Sequence, residues 1–167
     1  MDAAFLVLRV AVGLLVAGHG AQKVFGWFGG HGMAGFRGWL HSIGFRPAVL
    51  WSWMGAIVEL GGGVLLVLGL LSPLGSIAIS SSMLTAIARV HWPKVWATEN
   101  GFELPLTYLV VALTVAATGP GAYSLDAVLG TALPTAVAVT LGVGALVGWA
   151  IGMVISTPRS VQRERSA

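Results

Sequence analysis

AVLWSWMGAIVELGGGVLLVLGLL, residues 48–71, carries a single formal charge, Glu59, in the middle of an apolar run. A helix of about 20 apolar residues crosses the roughly 30 Å hydrocarbon core of a bilayer. Read as a membrane span, the stretch places Glu59 near the midplane. An ionisable group there is costly, turns toward other helices and marks a candidate functional site. Gly61, Gly62 and Gly63 follow closely. Small residues let a neighbouring helix approach, so a carboxyl and a close-packed seam are predicted side by side.

The rest of the chain has the same character. Of its 167 residues 56% are hydrophobic and 9% charged, and the mean hydropathy is +0.88. Soluble domains carry about 25% charged residues, so the composition predicts an integral membrane protein, all-α, with no room for a separate soluble domain. The sequence pI of about 10.0 comes from only nine Lys and Arg scattered over separate loops. No basic stripe forms, which argues against a nucleic-acid partner. Cysteine is absent, which excludes thiolate redox chemistry, disulfides and Cys-ligated iron–sulfur or zinc sites within the chain. The opening MDAAFLVLRV has no basic n-region, so no cleaved signal peptide is expected.

Five spans are predicted, over residues 4–25, 48–71, 74–90, 103–118 and 133–155. In the first, Arg9, Gly13, Val16, Gly20 and Lys23 share one face at helical spacing. That small and charged face is expected to point inward, with Arg9 either snorkelling to the interface or pairing with a buried carboxylate. Residues 33–43 read as a short interfacial amphipathic helix. In the third span Ser81, Thr85 and Arg89 form a polar stripe. The fifth is uncharged, and its Gly144, Gly148 and Gly152 are spaced as a packing face; it is expected to pack peripherally or against another protomer and not to line a site. Lys and Arg fall in the loops after the first and third spans and in the basic tail at 157–167. The positive-inside rule then puts the N-terminus outside and the C-terminus in the cytoplasm. Trp27, Trp39, Trp51, Trp53, Trp92 and Trp96 collect at the cytoplasmic interface as an aromatic belt.

Several stretches resemble a known family. Arg9 followed by GHGAQKVFG (residues 18–26), VELGGGVLLVLGL (58–70), NGFELPL (100–106) and GPGAYSLD (119–126) are similar, in order and spacing, to the DoxX family of small bacterial membrane proteins. The resemblance covers about residues 4–130. It implies a four-helix DoxX-like membrane domain over 1–130 in the bacterial plasma membrane; the predicted fifth transmembrane helix at 131–156 and the basic cytoplasmic tail at 157–167 extend beyond that pattern. Arg9, His19, Gly20, Lys23, Glu59, Gly62, Glu103, Pro105, Ser124 and Asp126 fall on the family pattern. Related DoxD-type proteins are subunits of a thiosulfate:quinone oxidoreductase, and some DoxX proteins are implicated in redox or oxidative-stress complexes.

Arg9, His19, Glu59, Arg89 and Glu103 are predicted to form a buried polar cluster, with Lys23 and His91 as secondary candidates and Glu59 bonded to Arg9, His19 or Arg89. The chain shows no catalytic constellation of its own. Three readings stay open: a membrane subunit of a redox-linked complex that contacts quinone, a non-catalytic scaffold or assembly factor, and a binder or carrier of a small molecule. Quinone fits better than haem, because His19 is the only histidine well inside a span. His31 and His41 read as interfacial residues, so no metal site is predicted. Besides the lipid bilayer, the expected partners are a protein on the cytoplasmic side or a second copy of the chain.

Overall fold

The computed structural model describes residues 2–156. Every regular element in this range is helical: α1 (Asp2–Val24), α2 (Gly32–Ser42), α3 (Ala48–Leu68), α4 (Leu74–Ala86), α5 (Glu103–Thr118), α6 (Leu125–Leu129) and α7 (Thr135–Ile155). A π-type turn, Ile87–His91, prolongs α4, and a short 3-10 turn, Ala97–Glu99, precedes α5. Helices α1, α3 and α7 are long and apolar enough to cross a membrane; α5 is a shorter apolar helix. The tail at 157–167 lies outside the described residues.

Proline and glycine set the bounds of the central helix. Pro47 stands extended before the first turn of α3, where a missing N–H costs nothing. Gly69 ends the helix at φ +59°. Its N–H returns to the carbonyl of Leu66 (3.2 Å) and that of Leu70 to Leu65 (3.1 Å), a Schellman closure.

The glycines of the opening stretch make the predicted seam. A Cβ on Gly63 would lie 2.7 Å from the Gly13 carbonyl, and one on Gly13 2.8 Å from the Gly63 carbonyl. Backbone thus meets backbone between α1 and α3. Gly62 does the same toward α4, where its Cβ would lie 2.9 Å from that of Ala78. Gly61 takes no part, since a Cβ there meets nothing within 4 Å. The inward face of α1 includes Arg9, Gly13, Val16 and Gly20, as its helical spacing predicts. Val16, Ile79, Met83, Tyr108 and Ala112 join α1, α4 and α5 in one apolar core.

The start of α1 and the end of α7 lie at opposite ends of the bundle. The Ala122 N–H donates to the Asp2 carboxylate at 3.4 Å, so the start of α1 and the α5–α6 connection are together. The Arg46 N–H donates to the Ser156 carbonyl at 3.3 Å, which puts the end of α7 beside the start of α3. Exposed Trp27, Trp39, Trp92 and Trp96 gather at that second end.

Candidate functional site

Arg9 and Glu59, expected in one cluster, belong to two separate ones. Arg9 is fully buried one end of the bundle away from Glu59. Its guanidinium donates to the carbonyls of Leu66 and Val67, each at 3.2 Å, and to that of Tyr123. The first two belong to the last turn of α3, where carbonyls run out of intrahelical partners; the Leu66 carbonyl also accepts from the Gly69 N–H. A cation there also matches the negative end of the helix dipole. Gly69 is needed beside it for a second reason: a Cβ at that position would collide with the guanidinium.

Asp126 completes this clamp. Its carboxylate accepts from the N–H groups of Leu71 (2.8 Å) and Ser72 (2.7 Å) and from the Thr131 hydroxyl (2.7 Å). Burial raises the Asp126 pKa, but the hydrogen bonds from Ser72, Thr131 and Leu71 outweigh it and hold the carboxyl below the usual carboxylate range. Ser124 caps α6 by accepting from the Ala127 N–H at 3.2 Å. The loop at 119–126 is therefore tied to the end of α3 through both charges.

The second cluster surrounds Glu59. Its ion-pair partner is Lys23, from the last turn of α1, and not Arg9, His19 or Arg89. Ser82 on α4 donates to the other carboxylate oxygen at 2.7 Å. The Lys23 ammonium also lies 4.9 Å from the centre of the Phe36 ring on α2, within cation–π range. His19 is one turn back on α1; its Nδ1 meets the Gln22 side-chain oxygen at 3.1 Å, and its ring lies 6.4 Å from that of Tyr108.

These residues face a cavity of about 740 Å³ between α1, α2, α3, α4, α5 and α7. Its polar lining includes Lys23, Glu59, Ser82, His19, Tyr108 and His91, and most of the wall is apolar and aromatic. That is the usual make-up of a small-molecule site: mostly apolar, within about 300–1,000 Å³, with a few convergent polar groups. His91 is held by the Asn100 carbonyl (2.6 Å).

Besides Arg9, two more of the five predicted cluster members stay apart from the cavity. Arg89 stacks over the Phe45 ring at 4.8 Å and does not line the cavity. Glu103 opens α5, half-buried, and lies outside the lining as well. Among the described residues no group of three or more His, Asp or Glu is placed to hold a metal.

Helix α7 is placed differently from expectation. It forms a wall of the cavity through Ala145, Gly148, Trp149 and Met153. The cause is the Trp149 indole, whose N–H donates to the Thr85 hydroxyl at 2.9 Å and holds α7 against α4. Trp51 packs on Gly152 and fixes the end of the helix. Sequence reasoning passed over Trp149, Ser82 and Phe36. Trp149 was legible, since an indole N–H inside a bilayer has only a neighbouring helix to bond to.

A family model described as DoxX matches residues 4–92, which hold nearly all of α1, the whole of α2 to α4 and the Lys23–Glu59–Ser82 contact. No curated protein and no solved structure matches the chain.

Proposed function

Because this chain belongs to the DoxX family, we propose that it is an integral subunit of a redox-linked complex in the bacterial plasma membrane and that it binds a quinone-type molecule in the cavity beside Glu59. The observation that carries this reading is the Lys23–Glu59 pair facing a largely apolar chamber. Two charges held among membrane helices are expensive and mark ligand sites or proton routes. The Lys23 ammonium and the Tyr108 hydroxyl can donate to a quinone carbonyl. Glu59 and His19 can take up or release protons next to it. The aromatic rings of Phe36, Trp51 and Trp149 can flank a flat head group. Electrons would come from a partner protein, and this chain's part is to hold the head group and serve its protons.

Lipid analysis of the protein extracted in mild detergent tests the proposal. A quinone should copurify at close to one per chain and fall several-fold in Glu59→Gln. If none copurifies, and an added alkyl benzoquinone quenches no tryptophan fluorescence, the site does not bind quinone.

The same reading includes five crossings, a DoxX-like four-helix core plus α7, with the N-terminus outside. Since the chain has no cysteine, single cysteines can be introduced against no background. One at Ala122 is expected to react with an impermeant maleimide added outside intact cells. One at Ser160 should react only after the membrane is opened. The reverse pattern would invert the proposed orientation.

A further inference from the structure

A second cavity, of about 660 Å³, lies under α7 toward the Asp126 end, between α4, α5 and α7. Ser81, Ala145 and Trp149 line both cavities, so the two meet at the Trp149–Thr85 hydrogen bond. Their chemistry differs. The first contains Lys23, Glu59 and two histidines; no charged residue or histidine lines the second. The Thr118 hydroxyl at its far end already donates to the Thr114 carbonyl at 2.7 Å.

Between Trp149 and the start of α7 the helix stands off the bundle. Glycine faces on membrane helices usually allow close helix contact, yet a Cβ on Gly142 or Gly148 would meet nothing within 4 Å. Gly148 borders the first cavity and Gly142 the second. These glycines therefore leave room along the wall of a crevice.

We infer that the two cavities form one site for a single amphiphile, whose polar head rests against Lys23 and Glu59 and whose long apolar tail passes Trp149 into the second cavity. The inference rests on the head-group reading above and adds the class of ligand: a head carrying one long chain. A head beside Glu59 has its own tail to place. The neighbouring chamber, uncharged and largely apolar, shares a wall with the head site. Because hydrocarbon gains little on leaving lipid for an apolar wall, recognition there depends on close packing, and filling the chamber should abolish it.

The test uses the full chain in detergent, with tryptophan quenching by a tailless benzoquinone and by the same benzoquinone bearing a decyl chain. Gly142→Leu fills the second cavity and Gly148→Leu the first. Comparing each variant with wild type for one probe cancels the probe's own partition into micelles. Gly142→Leu is expected to weaken the decyl compound about tenfold, roughly 1.4 kcal/mol, and to leave the tailless one unchanged. Gly148→Leu should weaken both. If Gly142→Leu leaves decyl binding intact, or weakens both probes equally, the second cavity is not a tail site while the head site stands. If neither probe binds wild type, both readings fall together.

Discussion

Replacing Arg9 with methionine is expected to remove about 3–5 kcal/mol of stability, the usual result of breaking a buried charged contact from one side. The side chain is fully buried, so solvent screening does not soften the loss. Methionine keeps much of the volume but leaves the carbonyls of Leu66, Val67 and Tyr123 without the donor they have now. It also leaves the Asp126 charge without the nearby cation. Both effects loosen the junction where α3, α6 and the start of α1 meet. The protein should then run as aggregate on size exclusion in detergent, or unfold many degrees below wild type. Arg9→Lys should recover only part of the loss, because one ammonium cannot reach three carbonyls with the geometry of a guanidinium fork. A methionine variant with the wild-type melting temperature would show that the clamp contributes nothing to stability.

That clamp and the Lys23–Glu59 site differ in one physical respect. The protein itself occupies every carboxylate oxygen of Asp126 and binds Arg9 to backbone. Glu59 and Lys23 border open space. Polar groups bonded within the fold and bordering no cavity hold a structure together. Charged groups kept at the edge of a cavity are available to something else. Arg9 and Glu59 have equal prominence in the sequence, and only their surroundings separate the two roles.

Much of this fold was legible in the sequence, because helical periodicity and small residues act locally. The face of α1 that carries Arg9, Gly13, Val16 and Gly20 follows from spacing alone, and the triplet Gly61, Gly62 and Gly63 announces a seam, although only Gly62 and Gly63 form it. Partner choice was not legible. Arg9, His19, Arg89 and Lys23 were all within plausible reach of Glu59 by residue count. The height at which α1 and α3 cross removes Arg9: Gly13 meets Gly63 and Gly20 meets Leu60, which leaves Arg9 near the end of α3. His19 is close to Glu59 in height, yet Lys23 is the cation that reaches the carboxylate. The sequence placed Arg9 and GPGAYSLD on the same side of the membrane, yet Asp126 was not recognised as a neighbour of the Arg9 cation. For α7 the absence of charge hid the single polar atom that matters, the Trp149 indole N–H.

Removing Lys23 and Glu59 separately and together is expected to separate stability from binding. Glu59→Gln leaves the Lys23 ammonium without its counter-charge, and Lys23→Met leaves the carboxylate with Ser82 alone. Each single change should cost about 2 kcal/mol, below the figure for a fully buried pair, because the Lys23 side chain is 24% exposed and partly screened. The double variant strands neither charge. The methionine packs beside Phe36, and the glutamine's carbonyl can still accept from Ser82. Most of the stability should therefore return, giving a coupling energy of about 1–3 kcal/mol between the two positions. Affinity for the decyl benzoquinone should not return, since both charged groups at the head site are gone, and at least a tenfold loss is expected to persist. Recovery of both properties in the double variant would make the pair a structural contact only. Single variants with wild-type stability and wild-type binding would remove the ionic site altogether.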